Sequence, residues 1–302
     1  MTQQQREALD AIFRNGPLDI GGDPAAQREV FTGMLTSRPL PDDVILTPSV
    51  IGGVPVLEIG IDGVDPVGTL VWFHGGFYVL GSPRTSAALA SDVARRTGMK
   101  VISVDYRLAP EHPYPAALDD AVAVYRAILA AAEGRDLGRL AVVGESAGAG
   151  LAAALLIAAR DQGLAMPAAG VLFSPYADLT LSGDSMKTKA GVDPSFTAEA
   201  IARRAADYVG GADPADPLIS PVFADLHGLP PLLIQVGTHE LLLEDAIRLA
   251  DRAAAADVAV SLEVTPGVPH LFQAFAAMLD EGDAALVRVT DFLATAFAQN
   301  AS

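Results

Sequence analysis

From about Leu46 to its C-terminus the chain alternates short apolar runs with longer amphipathic ones, and no other feature limits its possible folds so severely. The runs "VPVLEIGI", "GTLVWF", "KVISVDY", "RLAVVG", "AAGVLFSP", "PPLLIQVG" and "VSLEVTPG" read as strands. Between them, "ASDVARRTG", "PAALDDAVAVYRAILAAA", "AGAGLAAALLIAARDQG", "LLEDAIRLADRAAAAD" and "AALVRVTDFLATAFA" carry helical spacing. Most of these strands are apolar on both faces, which predicts a largely parallel sheet covered by helices on both sides, an α/β fold.

Two segments break the rhythm. Residues 1–45 read as helical, through "QREALDAIF" and "AAQREVFTGML", and residues 180–215 hold a helix between turn-rich flanks. Neither belongs to the sheet. They are expected to form a cap over its C-terminal edge, leaving 46–179 and 216–302 as the core.

The chain of 302 residues is 51% hydrophobic and 19% charged, enough for a well-cored globular protein. Its formal net charge of -17 argues against a nucleic-acid partner or an anionic membrane surface. With no cysteine, neither a disulfide framework nor a thiolate metal site is open to it. The N-terminal "MTQQQREALDAIFRNG" lacks the apolar core of a signal peptide, and the greasy run within Ala147–Ala159 is too short to span a bilayer. A cytoplasmic protein without membrane insertion is the expectation.

Chemistry concentrates at Gly144-Glu145-Ser146-Ala147-Gly148, where a predicted strand turns straight into a predicted helix. Such a junction strains its central residue, admits only small neighbours, and lifts the serine above the sheet. A nucleophilic serine needs a base, an acid to orient that base, and donors for an oxyanion. Of the five histidines, His74 and His112 precede the serine, His227 sits in a turn-rich loop, and His239 follows a strand. His270, between the last strand and the last helix, stands where ligands meet a sheet of this kind and is the preferred base. The backbone N–H groups of Gly75 and Gly76 after "LVWF", and of Ala147 at the head of the nucleophile helix, are the candidate oxyanion donors.

The stretches "HGGFYVLGS", "VDYRLAPEHPYPAALDDA", "GESAGAGLA", "DPLISP", "LPPLLIQVGTHELLLEDA" and "GVPHLFQ" resemble the hormone-sensitive-lipase-like carboxylesterases, the bacterial family IV of the α/β-hydrolase fold. The resemblance runs in order from about Leu46 to the end, and the N-terminal region fits that family's helical cap. It implies a serine carboxylesterase for short-chain, hydrophobic esters, working through an acyl-enzyme with no cofactor and no metal. Ser146 becomes the nucleophile, His270 the base, and Gly75, Gly76 and Ala147 the oxyanion hole. Two departures stand out. Phe77 replaces the usual third glycine, and since its N–H survives, Phe77 is itself a candidate donor. Glu145 stands where relatives commonly carry Asp or Thr, and is read as a carboxylate bracing nearby loops.

The acid falls in "GTHELLLEDA", where Glu240, Glu244 and Asp245 compete. Asp245 fits the family's usual residue type, but it and Glu244 are expected inside the following helix. Glu240 lies at the loop end nearest the sheet edge, and is preferred, with Asp245 as the alternative. Phe13, Leu35, Met186 and Phe196 are candidates for pocket walls or for packing within the cap. An amidase or lactonase could use the same triad, and a non-catalytic receptor could use the same fold. The late strand "VSLEVTPG" is expected at a sheet edge, where a homodimer would form.

Overall fold

The computed structural model describes residues 3–132 and 139–300. Its centre is one eight-stranded sheet: β1 (Val44–Ile51), β2 (Val54–Ile61), β3 (Thr69–Phe73), β4 (Lys100–Val104), β5 (Leu140–Glu145), β6 (Ala169–Phe173), β7 (Leu232–Gly237) and β8 (Val260–Thr265). The spatial order is β1-β2-β4-β3-β5-β6-β7-β8. From β4 to β8 every pairing is parallel, whereas β1 pairs with β2 and β2 with β4 antiparallel. The first strand escapes the sequence reading because "VILTPSVI" is half-exposed and interrupted by Pro48. Gly52 and Gly53, both at positive φ, close the hairpin between β1 and β2 as a two-residue turn demands.

Helices cover both faces. On one lie α3 (Ala87–Thr97) and α9 (Asp280–Asn300), whose Leu89, Val93, Leu286, Val289 and Leu293 pack on Trp72, Val143 and Phe173. On the other lie α4 (Ala116–Ala131), α5 (Ala147–Asp161) and α8 (Leu243–Ala255), packed on Val71, Val104, Val142, Leu172 and Ile234. Helix α5 is buried on every side over nearly its whole length, so its Ala/Leu composition reflects a core position rather than a lipid one. Among the described residues, no helix is long and apolar enough to cross a membrane.

The off-sheet segments are α1 (Gln3–Arg14) and α2 (Pro24–Leu35) at the N-terminus, and α6 (Ser185–Thr188) and α7 (Ala198–Val209) between β6 and β7. They are tied together and to the core. Arg14 donates to the carbonyls of Gly191 and Val192, and Arg203 to that of Gly21. Arg28 of α2 donates to the carbonyls of Val79 and Ala109 and pairs with Glu111 at 2.6 Å. Tyr208 of α7 stacks on Tyr78 with ring centroids 3.7 Å apart.

Candidate active site

At the end of β5 the chain reverses into α5 through Ser146, which holds φ 56° and ψ −120°. A non-glycine residue kept there costs on the order of 1–3 kcal/mol and needs over-determined surroundings. Those surroundings are visible. Ser146 donates its N–H to the Phe173 carbonyl at 2.8 Å and accepts from Tyr176 N–H at 3.0 Å, pinning the turn to the end of β6. The flanking glycines are steric necessities: a Cβ on Gly144 would lie 2.2 Å from the Gly148 carbonyl oxygen, and one on Gly148 2.0 Å from that of Phe73.

The loop after β3 runs beside this turn. Gly76 has φ 120° and no room for a Cβ, and Phe77 and Tyr78 follow at φ 57° and 62°. Gly75 differs from expectation. Its N–H donates to the Glu145 carboxylate at 3.2 Å, and the Ser86 hydroxyl donates to the same oxygen. That donor is therefore engaged, whereas the N–H groups of Gly76, Phe77 and Ala147 meet no acceptor among the described residues. Glu145 is buried, which pushes its carboxyl upward from the ordinary range. It braces the loop, as read from the sequence.

His74 is fully buried, stacks on Tyr106 at 4.2 Å, and donates from Nδ1 to the Gly75 carbonyl at 2.8 Å. Burial lowers its pKa to about 4, so it stays neutral and serves the loop. His227 pairs with Asp225 on the surface. His239 sits beside Glu240, and its backbone N–H donates to the Val268 carbonyl.

His270 and Glu240 meet beyond the ends of β8 and β7. His270 Nδ1 lies 2.7 Å from Glu240 Oε2, and both side chains are buried. The second carboxylate oxygen accepts from Gly237 N–H at 2.6 Å and from the Ser174 hydroxyl at 2.8 Å. Ser174 also receives the Leu271 N–H at 3.3 Å, so one hydroxyl links the acid loop to the histidine loop. His270 Nε2 is buried with no hydrogen-bond partner among the described residues. Asp245 is elsewhere. In the first turn of α8, its Oδ2 accepts the N–H groups of Ala177 and Asp178, both at 2.9 Å. It braces the loop after β6 rather than the histidine loop, and burial, reinforced by Asp178, raises its pKa to about 8.

Aromatic rings close the site. Phe196, from the segment before α7, meets the His270 ring at 4.9 Å edge to face. Phe77 meets Phe196 at 4.9 Å and Tyr176 at 5.6 Å, and Ser146 is only 2% exposed. Of the other wall candidates, Phe13 packs on Phe275, Met186 is buried in the core, and Leu35 is partly exposed. Sequence reasoning missed Ser174 and Asp193. Ser174 was signalled by its position ending a central strand, and Asp193 by the turn-forming "DPSF". Among the described residues, no group of His, Asp and Glu is arranged to hold a metal ion.

The sheet order and the strained strand-to-helix serine define an α/β hydrolase. Residues 70–274 match the family model described as alpha/beta hydrolase fold. An acetyl-hydrolase of Streptomyces hygroscopicus is 43% identical over 228 residues, 76% of each chain. An esterase of Acinetobacter venetianus is 38% identical over 285 residues, 94% of this chain and 93% of its own. The crystal structure of an esterase from the bacterial hormone-sensitive lipase family superposes with a TM-score of 0.93 at 42% identity, covering 98% of this chain and 99% of that one. The chain belongs to the α/β hydrolases, within the bacterial hormone-sensitive-lipase-like esterases, and its activity is carboxylic ester hydrolysis.

Proposed function

We propose that Ser146, His270 and Glu240 form the catalytic triad of a carboxylesterase acting on short-chain, hydrophobic esters. The observation that carries this reading is the buried His270–Glu240 pair, whose outer ring nitrogen is left without a partner. Glu240 holds the Nδ1–H tautomer, so Nε2 offers its lone pair to the Ser146 hydroxyl. Ser146 Oγ attacks the ester carbonyl as Nε2 takes its proton. The tetrahedral oxyanion is received by the unengaged N–H groups of Gly76, Phe77 and Ala147, the last adding the positive end of the α5 dipole. Nε2–H then protonates the departing alcohol, and water repeats the sequence on the acyl-enzyme. No step needs a metal or organic cofactor.

Preference for small acyl groups is supported by the rings of Phe77 and Phe196 crowding the site, and by similarity to a protein described as an acetyl-hydrolase. The two off-sheet segments act as the cap. The test is covalent labelling with an organophosphate followed by peptide mass spectrometry, which should place the adduct on Ser146. Ser146→Ala should stay folded and lose on the order of 10⁴- to 10⁶-fold in kcat on p-nitrophenyl acetate. A folded variant keeping a tenth of the activity ends the proposal. Assaying amides and lactones beside p-nitrophenyl acetate separates esterase action from its nearest alternatives.

A further inference from the structure

Between α6 and α7 lies one buried carboxylate, Asp193, that touches both the substrate-facing cap and the acid loop. Its Oδ1 accepts the N–H groups of Ser195 at 2.7 Å and Phe196 at 3.1 Å, closing the turn that sets the Phe196 ring against His270. Its Oδ2 accepts the N–H of Leu241 at 2.8 Å, and Leu241 immediately follows Glu240. The carbonyl of the same Leu241 is held at 2.5 Å by the hydroxyl of Ser185, the first residue of α6, which also accepts the Glu244 N–H at 3.2 Å. Both backbone polar groups beside Glu240 are thus satisfied by side chains of the cap.

We propose that Asp193 is a positioning residue for ester hydrolysis, fixing the Glu240 loop and the Phe196 ring in one geometry relative to His270. The proposal rests on the triad reading above. Three N–H groups converge on one carboxylate, and charge-assisted bonds of this kind are the strong ones. An asparagine at the same place has only one acceptor oxygen. It must turn an N–H₂ group either toward Leu241 N–H or toward the Ser195–Phe196 turn, so one tie is lost whichever way it sits. The cap then no longer dictates where Glu240 stands, and misplacement on the scale of an ångström is enough to slow chemistry strongly.

The ionisable groups facing Asp193 are Glu240 and His270, and burial raises its own pKa to about 6.

The test compares kcat and KM of Asp193→Asn, Ser185→Ala and Phe196→Ala on p-nitrophenyl acetate, with circular dichroism to establish folding. Asp193→Asn should lower kcat by about 10- to 100-fold with a smaller change in KM. Ser185→Ala, which frees the opposite side of Leu241, should also lower kcat. Phe196→Ala should act mainly on KM. A folded Asp193→Asn with wild-type kcat overturns the proposal. If that variant does not fold, unchanged kcat in Ser185→Ala overturns it instead. Failure of the wild-type protein to be labelled at Ser146 would defeat the triad reading, and is a separate result.

Discussion

Exchanging the two competing carboxylates for their amides, one at a time, separates a residue that orients the base from one that only braces a loop. Glu240 has three donors to satisfy: the Nδ1 of His270 on one oxygen, Gly237 N–H and the Ser174 hydroxyl on the other. Glutamine offers a single acceptor. If its oxygen stays on Gly237, its N–H₂ faces Nδ1 and drives the ring to the Nε2–H tautomer, which cannot accept a proton from Ser146. If it turns over, the buried Gly237 N–H is left facing another donor, at about 1–3 kcal/mol. The first arrangement is the less costly, so Glu240→Gln should lose on the order of 10²- to 10⁴-fold in kcat.

Asp245 behaves differently, because its folded pKa of about 8 already keeps it protonated at neutral pH. Asparagine copies the neutral acid, accepts the same two N–H groups, and should leave kcat within about threefold. Stability adds a second signature. The folded pKa lies above the reference value of 3.8, so wild-type stability is full below about pH 4 and declines as pH rises through about 8. The amide does not titrate, so Asp245→Asn should gain in melting temperature relative to wild type between pH 5 and pH 8. Steady-state kinetics on p-nitrophenyl acetate and thermal melts at the two pH values decide the matter. The reverse ranking of kcat losses would refute the assignment of the acid.

Gly148→Ala would press a methyl onto the backbone carbonyls of Phe73 and His74, at 2.0 and 2.5 Å, and should cost about 1–3 kcal/mol in denaturant unfolding. The displaced loop should also lower kcat, and a variant with wild-type stability would contradict the packing argument. We propose that two chains pair through β8, the last strand of the sheet, whose Val264 is 41% exposed. Light scattering at micromolar concentration should give a dimer mass, and a monomer would refute it.

The parallel part of the fold was legible because buried strands and their helices write apolar periodicity directly into the chain. The β1–β2 hairpin was not, since a half-exposed edge strand carries Thr47, Pro48 and Ser49 and leaves only Gly52-Gly53 as a signal. At the site, Ser146, His270 and Glu240 could be placed from strand ends and loop order, and the structure sets His270 beside Glu240 rather than Asp245. Which glycine N–H is engaged could not be read, because it depends on Glu145 folding back to Gly75 across seventy residues of chain. Asp193 was hidden for the same reason: its partners Leu241 and Phe196 are brought together only by the folding of the segment between β6 and β7 against the loop after β7.

Position 77 has a consequence for how such an enzyme can diversify. In the proposed mechanism the group that receives charge is the main-chain N–H, while the group that meets the substrate is the ring. Selection can then remodel what the pocket admits without rewriting how the reaction is accelerated. The permitted alphabet is narrow. A left-handed backbone at φ 57° costs an ordinary side chain about 1–2 kcal/mol, more for Val, Ile or Thr, and nothing for Gly. Drift at this site should run among glycine, asparagine and unbranched or aromatic residues, each step altering substrate range while the turnover machinery stays inherited intact.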